Sequence, residues 1–270
     1  MLNILILGGT GKTGRRIARR LPSARAASRS GGVRLDLGDP RTWKPALDGV
    51  TAVYLVEPDL HAAMGDPSRI PRFAAEAVAA GARRFVLLSA PRAGEADHPL
   101  FAAEEAVRGS GVEWTILRPD WFAQNFSESF WRPGILAGEL ALPTGDGRTP
   151  FVDADDIADV AAAALTADGH HGRTYHLTGP RALSVGEAVA LIGAASGRTV
   201  RHVDVDPEAF VRQQVENGAP PAVARLLTGL FTDIRDGHGP EPSGDVARAL
   251  GRPARTFEEY VAGAWGQPGV

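Results

Sequence analysis

The chain has 270 residues, 44% of them hydrophobic and 23% charged, which is the balance of a folded globular protein and not of a disordered one. A formal charge of -3 lacks the basic excess that phosphate-backbone binding requires, and the absence of cysteine removes disulfides, thiolate metal sites and thiol nucleophiles. The opening residues carry no basic n-region and no apolar run reaches about 18 residues, so a cytoplasmic protein that neither spans a membrane nor binds nucleic acid is expected.

In chain order, the first half alternates short apolar runs with helical patterns, the rhythm of parallel βαβ units. Strands are predicted at 3–7, 25–28, 33–36, 52–56, 84–89 and 113–117. Helices are predicted at 11–21, where Ile17 and Leu21 stand four apart, at 68–80, with Pro71 tolerated near the first turn, and at 98–108, stopped by Gly109-Ser110-Gly111. Six strands in this order imply an α/β fold, a Rossmann-type doubly wound parallel sheet that binds its ligand at the carboxyl ends of the strands. Beyond Pro119 the pattern changes. Trp121, Phe122, Phe126, Phe130 and Trp131 make an aromatic segment, followed by short strands at 150–152 and 174–177 around a helix at 154–165. A helix at 183–195, a strand at 200–205 and a mostly helical remainder from Pro207 complete the reading. The expected division is a nucleotide-binding core at 1–120 and a smaller, mostly helical substrate-binding lobe and lid at 121–270, with a few segments returning to the core.

The chemistry is densest at Leu5-Ile6-Leu7-Gly8-Gly9-Thr10-Gly11-Lys12-Thr13-Gly14, a buried strand running through a glycine turn into a helix. Gly8 makes the tight turn, Gly11 lets the backbone approach a diphosphate, and Gly14 lets the helix pack on the strand. Thr10, Lys12 and Thr13 share the loop, and the helix amino terminus offers free N–H groups to phosphate. A Walker A reading of Gly11-Lys12-Thr13 fails, because that motif needs glycine at position 6, where Ile6 stands. At the end of the second strand Ser28-Arg29-Ser30 carries no carboxylate to hold a ribose 2′-hydroxyl, whereas the planar fork of Arg29 suits a 2′-phosphate. NADPH/NADP is therefore the expected cofactor, with Ser28 and Arg29 on the phosphate, Asp36 on the adenine amino group and Val56 at the end of the fourth strand. The competing readings are a solvated charge for Arg29 and a turn-forming carboxylate for Asp36.

The glycine spacing and strand layout resemble the short-chain dehydrogenase/reductase superfamily. The chain is more closely similar to its atypical NmrA-like branch through Gly8–Gly14, Phe85–Ser89, Thr115–Pro119, Phe151–Ala158 and Tyr175–Pro180. Gly8–Thr13, Ala27–Ser30 and Trp121-Phe122 with Asn125-Phe126 are similar to ergot-alkaloid-type dehydrogenases. The resemblance implies a serine acting with a Tyr-x-x-x-Lys pair, and that pair cannot exist here. The tyrosines are Tyr54, Tyr175 and Tyr260, and both lysines, Lys12 and Lys44, precede all three. By resemblance the pair would fall near Ala96 and Leu100, neither of which donates a proton. Ser89 matches the family serine.

The expected activity is thus reduction of a C=O or C=N bond in a bulky, apolar, aromatic metabolite of specialised metabolism, as in ketoreductases of the superfamily that lack the pair. A quinone reductase and a non-catalytic NmrA-type redox sensor are the alternatives. Ser89, Asp120 and His61 are the candidates for orientation or proton supply, and His98 is expected to be exposed. His170-His171 lacks a third ligand, so no metal is expected. Asp153 and Asp155 are read as helix caps. Trp121–Trp131 with Phe210, Leu226, Leu227 and Phe231 is read as either pocket lining or core. The oligomeric state stays open.

Overall fold

In the computed structural model, which describes residues 2–266, the strand Ile4–Leu7 (β1) is buried at every position, as a strand covered on both faces must be. It pairs in parallel with Arg25–Ser28 (β2) on one side and Ala52–Val56 (β4) on the other. Val33–Arg34 (β3) extends the sheet beyond β2, while Arg84–Leu88 (β5), Glu113–Pro119 (β6) and Arg173–Leu177 (β7) extend it beyond β4. The order is β3-β2-β1-β4-β5-β6-β7, all parallel, and direction of winding reverses between β1 and β4. That reversal leaves a crevice at the carboxyl ends, the place where sheets of this class receive ligands.

The sheet therefore has seven strands where six were expected; the run predicted at 174–177 joins its edge against β6. Its helices include Gly14–Arg20 (α1), Phe101–Arg108 (α2) and Ala154–Thr166 (α3). Helix α3 buries Ala154, Ala158, Ala161 and Ala164 beside Ile157, Val160 and Leu165, small side chains that permit close packing. Arg16 and Arg20 of α1 both pair with Asp155 of α3, and Arg20 also pairs with Asp159. Asp155 thus ties two helices together. Residues 2–119, 154–177 and 245–253 form this unit, around a core that includes Leu5, Leu55, Phe73, Phe85 and Ile116.

Residues 120–153, 178–244 and 254–266 form a second unit. It contains the parallel pair Glu139–Leu142 and Arg201–Asp204, the antiparallel pair Arg148–Thr149 and Leu183–Ser184, and helices at Val185–Ser196, Pro207–Glu216, Pro221–Arg235 and Phe257–Trp265. Ser184 and Glu187 close a capping box at the first of these helices. Its core is the aromatic cluster of Phe126, Trp131, Phe151, Phe231 and Phe257.

Several predicted boundaries move for identifiable reasons. β3 stops before Asp36 because the Asp36 N–H donates to Thr42 Oγ1 and its carbonyl accepts from Trp43 Nε1, which removes both groups from the ladder. α1 begins at Gly14, since residues 11–13 remain in the turn. α2 begins at Phe101, because His98 Nδ1 accepts the Leu100 N–H and closes a turn first. The strand predicted at 150–152 lies at Arg148–Thr149, and Val152 makes only an isolated bridge with Phe122. The helices Trp43–Leu47 and Leu60–Gly65 and the strand Glu139–Leu142 were not foreseen.

Candidate active site

The turn between β1 and α1 is built by contacts only glycine permits. Gly8 has φ +69, and the Gly11 N–H closes the turn on its carbonyl at 2.8 Å. A Cβ on Gly14 would overlap that same carbonyl and reach 2.9 Å from Gly9 Cα, so α1 sits against the strand end with no room for a side chain. Val56 packs on the turn from the end of β4, its Cγ1 2.9 Å from where a Cβ on Gly8 would stand. Thr10 and Gly11 are exposed at the tip, whereas Thr13 is buried and accepts from Tyr54 Oη at 2.9 Å. The Lys12 carbonyl accepts from Arg16 Nη1 at 2.9 Å, so the Asp155–Arg16 pair reaches into the turn itself. The result is a tight glycine turn at the amino terminus of α1, the kind of backbone feature that can receive a diphosphate.

The end of β2 carries the residues expected at the adenosine. Arg29 is exposed, and the buried Ser28 hydroxyl has no hydrogen-bond partner. An exposed cation and an unused donor are both groups that a phosphorylated ribose could engage. Asp36 Oδ1 accepts from the Gly38 N–H at 2.8 Å, which is the turn-forming role.

At the end of β5, Ser89 is 7% exposed and donates to Glu104 Oε1 at 2.7 Å. Glu104, on α2, is fully buried and also receives Arg118 Nε at 2.8 Å and, on its other oxygen, Arg118 Nη2 at 2.5 Å and Arg108 Nη2 at 2.8 Å. Burial alone would raise this carboxyl, but the hydrogen bonds of Arg118 and Ser89 and the charges of Arg118 and Arg108 outweigh it and hold its pKa below the ordinary value. The Arg118–Glu104 pair escaped the sequence reading because nothing in a separation of 14 residues signals it; only the i,i+4 spacing of Glu104 and Arg108 was visible. His61 lies in the first turn of the Leu60–Gly65 helix, exposed, and not in a loop. His98 is half-buried, contrary to expectation, and burial lowers its pKa. Glu57, one residue past β4, is buried against Arg69 at 3.2 Å, and burial raises its pKa; it too went unforeseen.

None of the three tyrosines replaces the missing pair by its surroundings. Tyr54 is fully buried on Thr13, and burial pushes its phenol well up. Tyr175 Oη meets His170 Nδ1 at 3.0 Å. Tyr260, in the second unit, bonds Ser127 at 2.9 Å, and burial pushes it up to about 12. His171 Nδ1 accepts the Trp114 N–H, so the two adjacent histidines serve the loop before β7, and no metal-binding group of three is found among the described residues.

In the second unit, Asp120 directly follows β6 and is 7% exposed. It accepts from Thr149 Oγ1 at 2.8 Å and from the Trp121 N–H, but burial dominates and pushes its carboxyl up to about 6. Asp153 accepts from Gln124 Nε2 at 2.8 Å. The aromatic segment proves to be largely core: Phe126, Trp131, Phe210 and Phe231 are buried. Trp121, half-buried, stacks between Trp131 and Phe231 at 5.5 and 4.9 Å, and with Phe122, Leu226 and Leu227 it keeps some accessible surface.

A seven-stranded parallel sheet with a glycine cradle at its winding reversal defines a dinucleotide-binding Rossmann protein. The chain belongs to the NAD(P)H-binding family, whose model matches residues 8–168. It is 38% identical over 273 residues to the uncharacterized oxidoreductase YesF of Bacillus subtilis, covering 96% of this chain and 94% of that one. It is 31% identical over 288 residues to festuclavine dehydrogenase of Aspergillus fumigatus, covering 96% and 97%. Among solved structures it is similar to triphenylmethane reductase of Citrobacter sp. complexed with NADP(H), with a TM-score of 0.80 at 23% identity, over 97% of this chain and 100% of that one.

Proposed function

We propose that this chain is an NADPH-dependent reductase that passes hydride to a C=O or C=N bond of a bulky, flat, apolar metabolite without a Tyr–Lys pair. The observation that carries the reading is the pairing of the Gly8–Gly14 cradle with Arg29 and an unpartnered Ser28 hydroxyl, with no carboxylate at 28–30 to repel a 2′-phosphate. Bound there, NADPH would supply the hydride, and the protein would orient it. Loss of a general acid forfeits roughly 10²–10⁴-fold in rate. The substrate must then be electrophilic already, or Asp120, buried and raised toward neutrality, must supply the proton. The names of two relatives, NAD(P)H azoreductase and festuclavine dehydrogenase, support the oxidoreductase reading.

The test is NADPH consumption by the purified protein with aryl ketones, cyclic imines and quinones, beside calorimetric affinity for NADPH and NADH. Turnover of a ketone or imine with NADPH preferred over NADH is the expected result. Turnover confined to simple quinones would make it a quinone reductase. Unequal affinity for the oxidised and reduced cofactor, with no turnover at all, would make it a redox sensor.

A further inference from the structure

A serine hydroxyl has one proton and two lone pairs. At Ser89 that proton is already committed to Glu104, and Glu104 has none to give back. Two guanidinium groups hold it ionised, three hydrogen bonds from them occupy its oxygens, and it has no exposure to water. At the carboxyl end of β5, the Ser89 hydroxyl therefore has only lone pairs left to offer.

We infer that Ser89 is a fixed hydrogen-bond acceptor, polarised by Glu104, and that it receives an N–H from a molecule bound at this end of the sheet. The inference rests on the reductase reading and narrows it. A ketone oxygen has no proton to offer and gains negative charge as hydride reaches its carbon, so lone pairs from Ser89 would oppose that charge. A protonated C=N–H is the complementary partner. Hydride adds to its carbon, the π electrons move onto nitrogen and neutralise it, and the N–H stays in place throughout. The amide N–H of a nicotinamide ring offers the same chemistry. Glu104 acts through Ser89, as a positioning residue.

Two matched pairs separate the sources. NADP⁺ and its 3-acetylpyridine analogue differ in whether the ring substituent carries an N–H, and calorimetry compares their affinities. A protonated cyclic imine and its N-methyl iminium counterpart differ in the same way at the substrate, and kcat/KM compares them. Ser89→Ala should weaken the N–H member of one pair by roughly threefold to tenfold, the value of one neutral hydrogen bond, and leave its partner unchanged. Ser89→Thr, which keeps the hydroxyl, should restore the difference. The Arg118 and Arg108 bonds to Glu104 survive the alanine change, so the fold should persist.

Glu104→Gln gives the second measurement. Oε2 faces two guanidinium donors and Oε1 only one, so the amide nitrogen is better placed at Oε1, where it gives up the bond from Arg118 Nε and donates to Ser89. The hydroxyl proton is then released outward, and the preference for the N–H member should vanish or reverse. A merely structural Glu104 would shift both members alike. Equal effects of Ser89→Ala on both members of both pairs overturn the inference and leave the reductase standing. Failure to bind either dinucleotide overturns both, whereas binding with no turnover of any electrophile overturns the reductase and leaves the NADP⁺ pair to decide the inference.

Discussion

Asp120→Asn tests whether the buried carboxyl after β6 is kept at a cost to the fold. Raising a carboxyl from 3.8 to about 6 disfavours its ionised form by on the order of 3 kcal/mol in the folded state. Between those two values the native state binds the proton more tightly than the unfolded chain does, so stability falls as pH rises from about 4 to about 6 and stays low above that. Below about 4 both states are protonated and nothing is contributed. Asparagine cannot ionise and so escapes the effect. The Thr149 hydroxyl can rotate to accept from the new amide, and the Trp121 N–H can still donate to its oxygen, so the local hydrogen bonds survive. The expected result is a variant melting at a similar temperature to the parent near pH 4 and several degrees higher at pH 8, with 3 kcal/mol as the ceiling. If Asp120 also supplies the proton, kcat falls about 100-fold or more while NADPH affinity is unchanged. Thermal melts across pH 4–8 measure the first effect and steady-state rates the second. A melting difference that does not vary with pH would refute the account of Asp120 as a strained, buried acid.

The remaining predictions address the cradle. Gly14→Ala forces a Cβ into the Gly8 carbonyl, and should cost about 3 kcal/mol in denaturant unfolding and weaken NADPH at least tenfold by calorimetry. Arg29→Ala should reduce NADPH affinity roughly 10–100-fold, the range of a charge-assisted hydrogen bond, while NADH affinity holds; equal losses for both cofactors would mean Arg29 does not touch the 2′-phosphate. Tyr54→Phe removes the bond to Thr13 and should cost about 1 kcal/mol by denaturant titration, with kcat within twofold of the parent; a larger loss of rate would restore a tyrosine to the chemistry.

What the sequence disclosed follows from the range of the interactions involved. β1, β2 and β4 were readable to within a residue because each is a short apolar run ended by a turn residue, and such patterns are local. The glycine cradle was readable because its constraint acts within seven residues. Helix Leu60–Gly65 was missed because its sequence is polar-capped by Asp59 but carries only one buried position, Ala63, so no hydrophobic period marks it. Strand Glu139–Leu142 was missed for a different reason: its sheet partner, Arg201–Asp204, lies some 60 residues on. The site shows the same division. Ser89 was found as the last residue of a strand, but Glu104 and Arg118, which fix its hydrogen bonding, come from other elements, and the burial that raises Asp120 is a property of the folded chain.

Those partners make Ser89 and Asp120 chemically opposite. Two arginines hold Glu104 ionised, so a group that looks like a donor in sequence becomes an acceptor in place. Asp120 is buried with no cation beside it among the described residues to offset the loss of water, so a group that looks like a permanent anion becomes one that can hold a proton near neutral pH, against the pull of the Thr149 and Trp121 donors. Environments of this kind, more than residue type, decide whether a polar group gives or takes a proton. The residue to vary first is therefore Glu104, which sets the polarity of Ser89 through a hydrogen bond and two arginines.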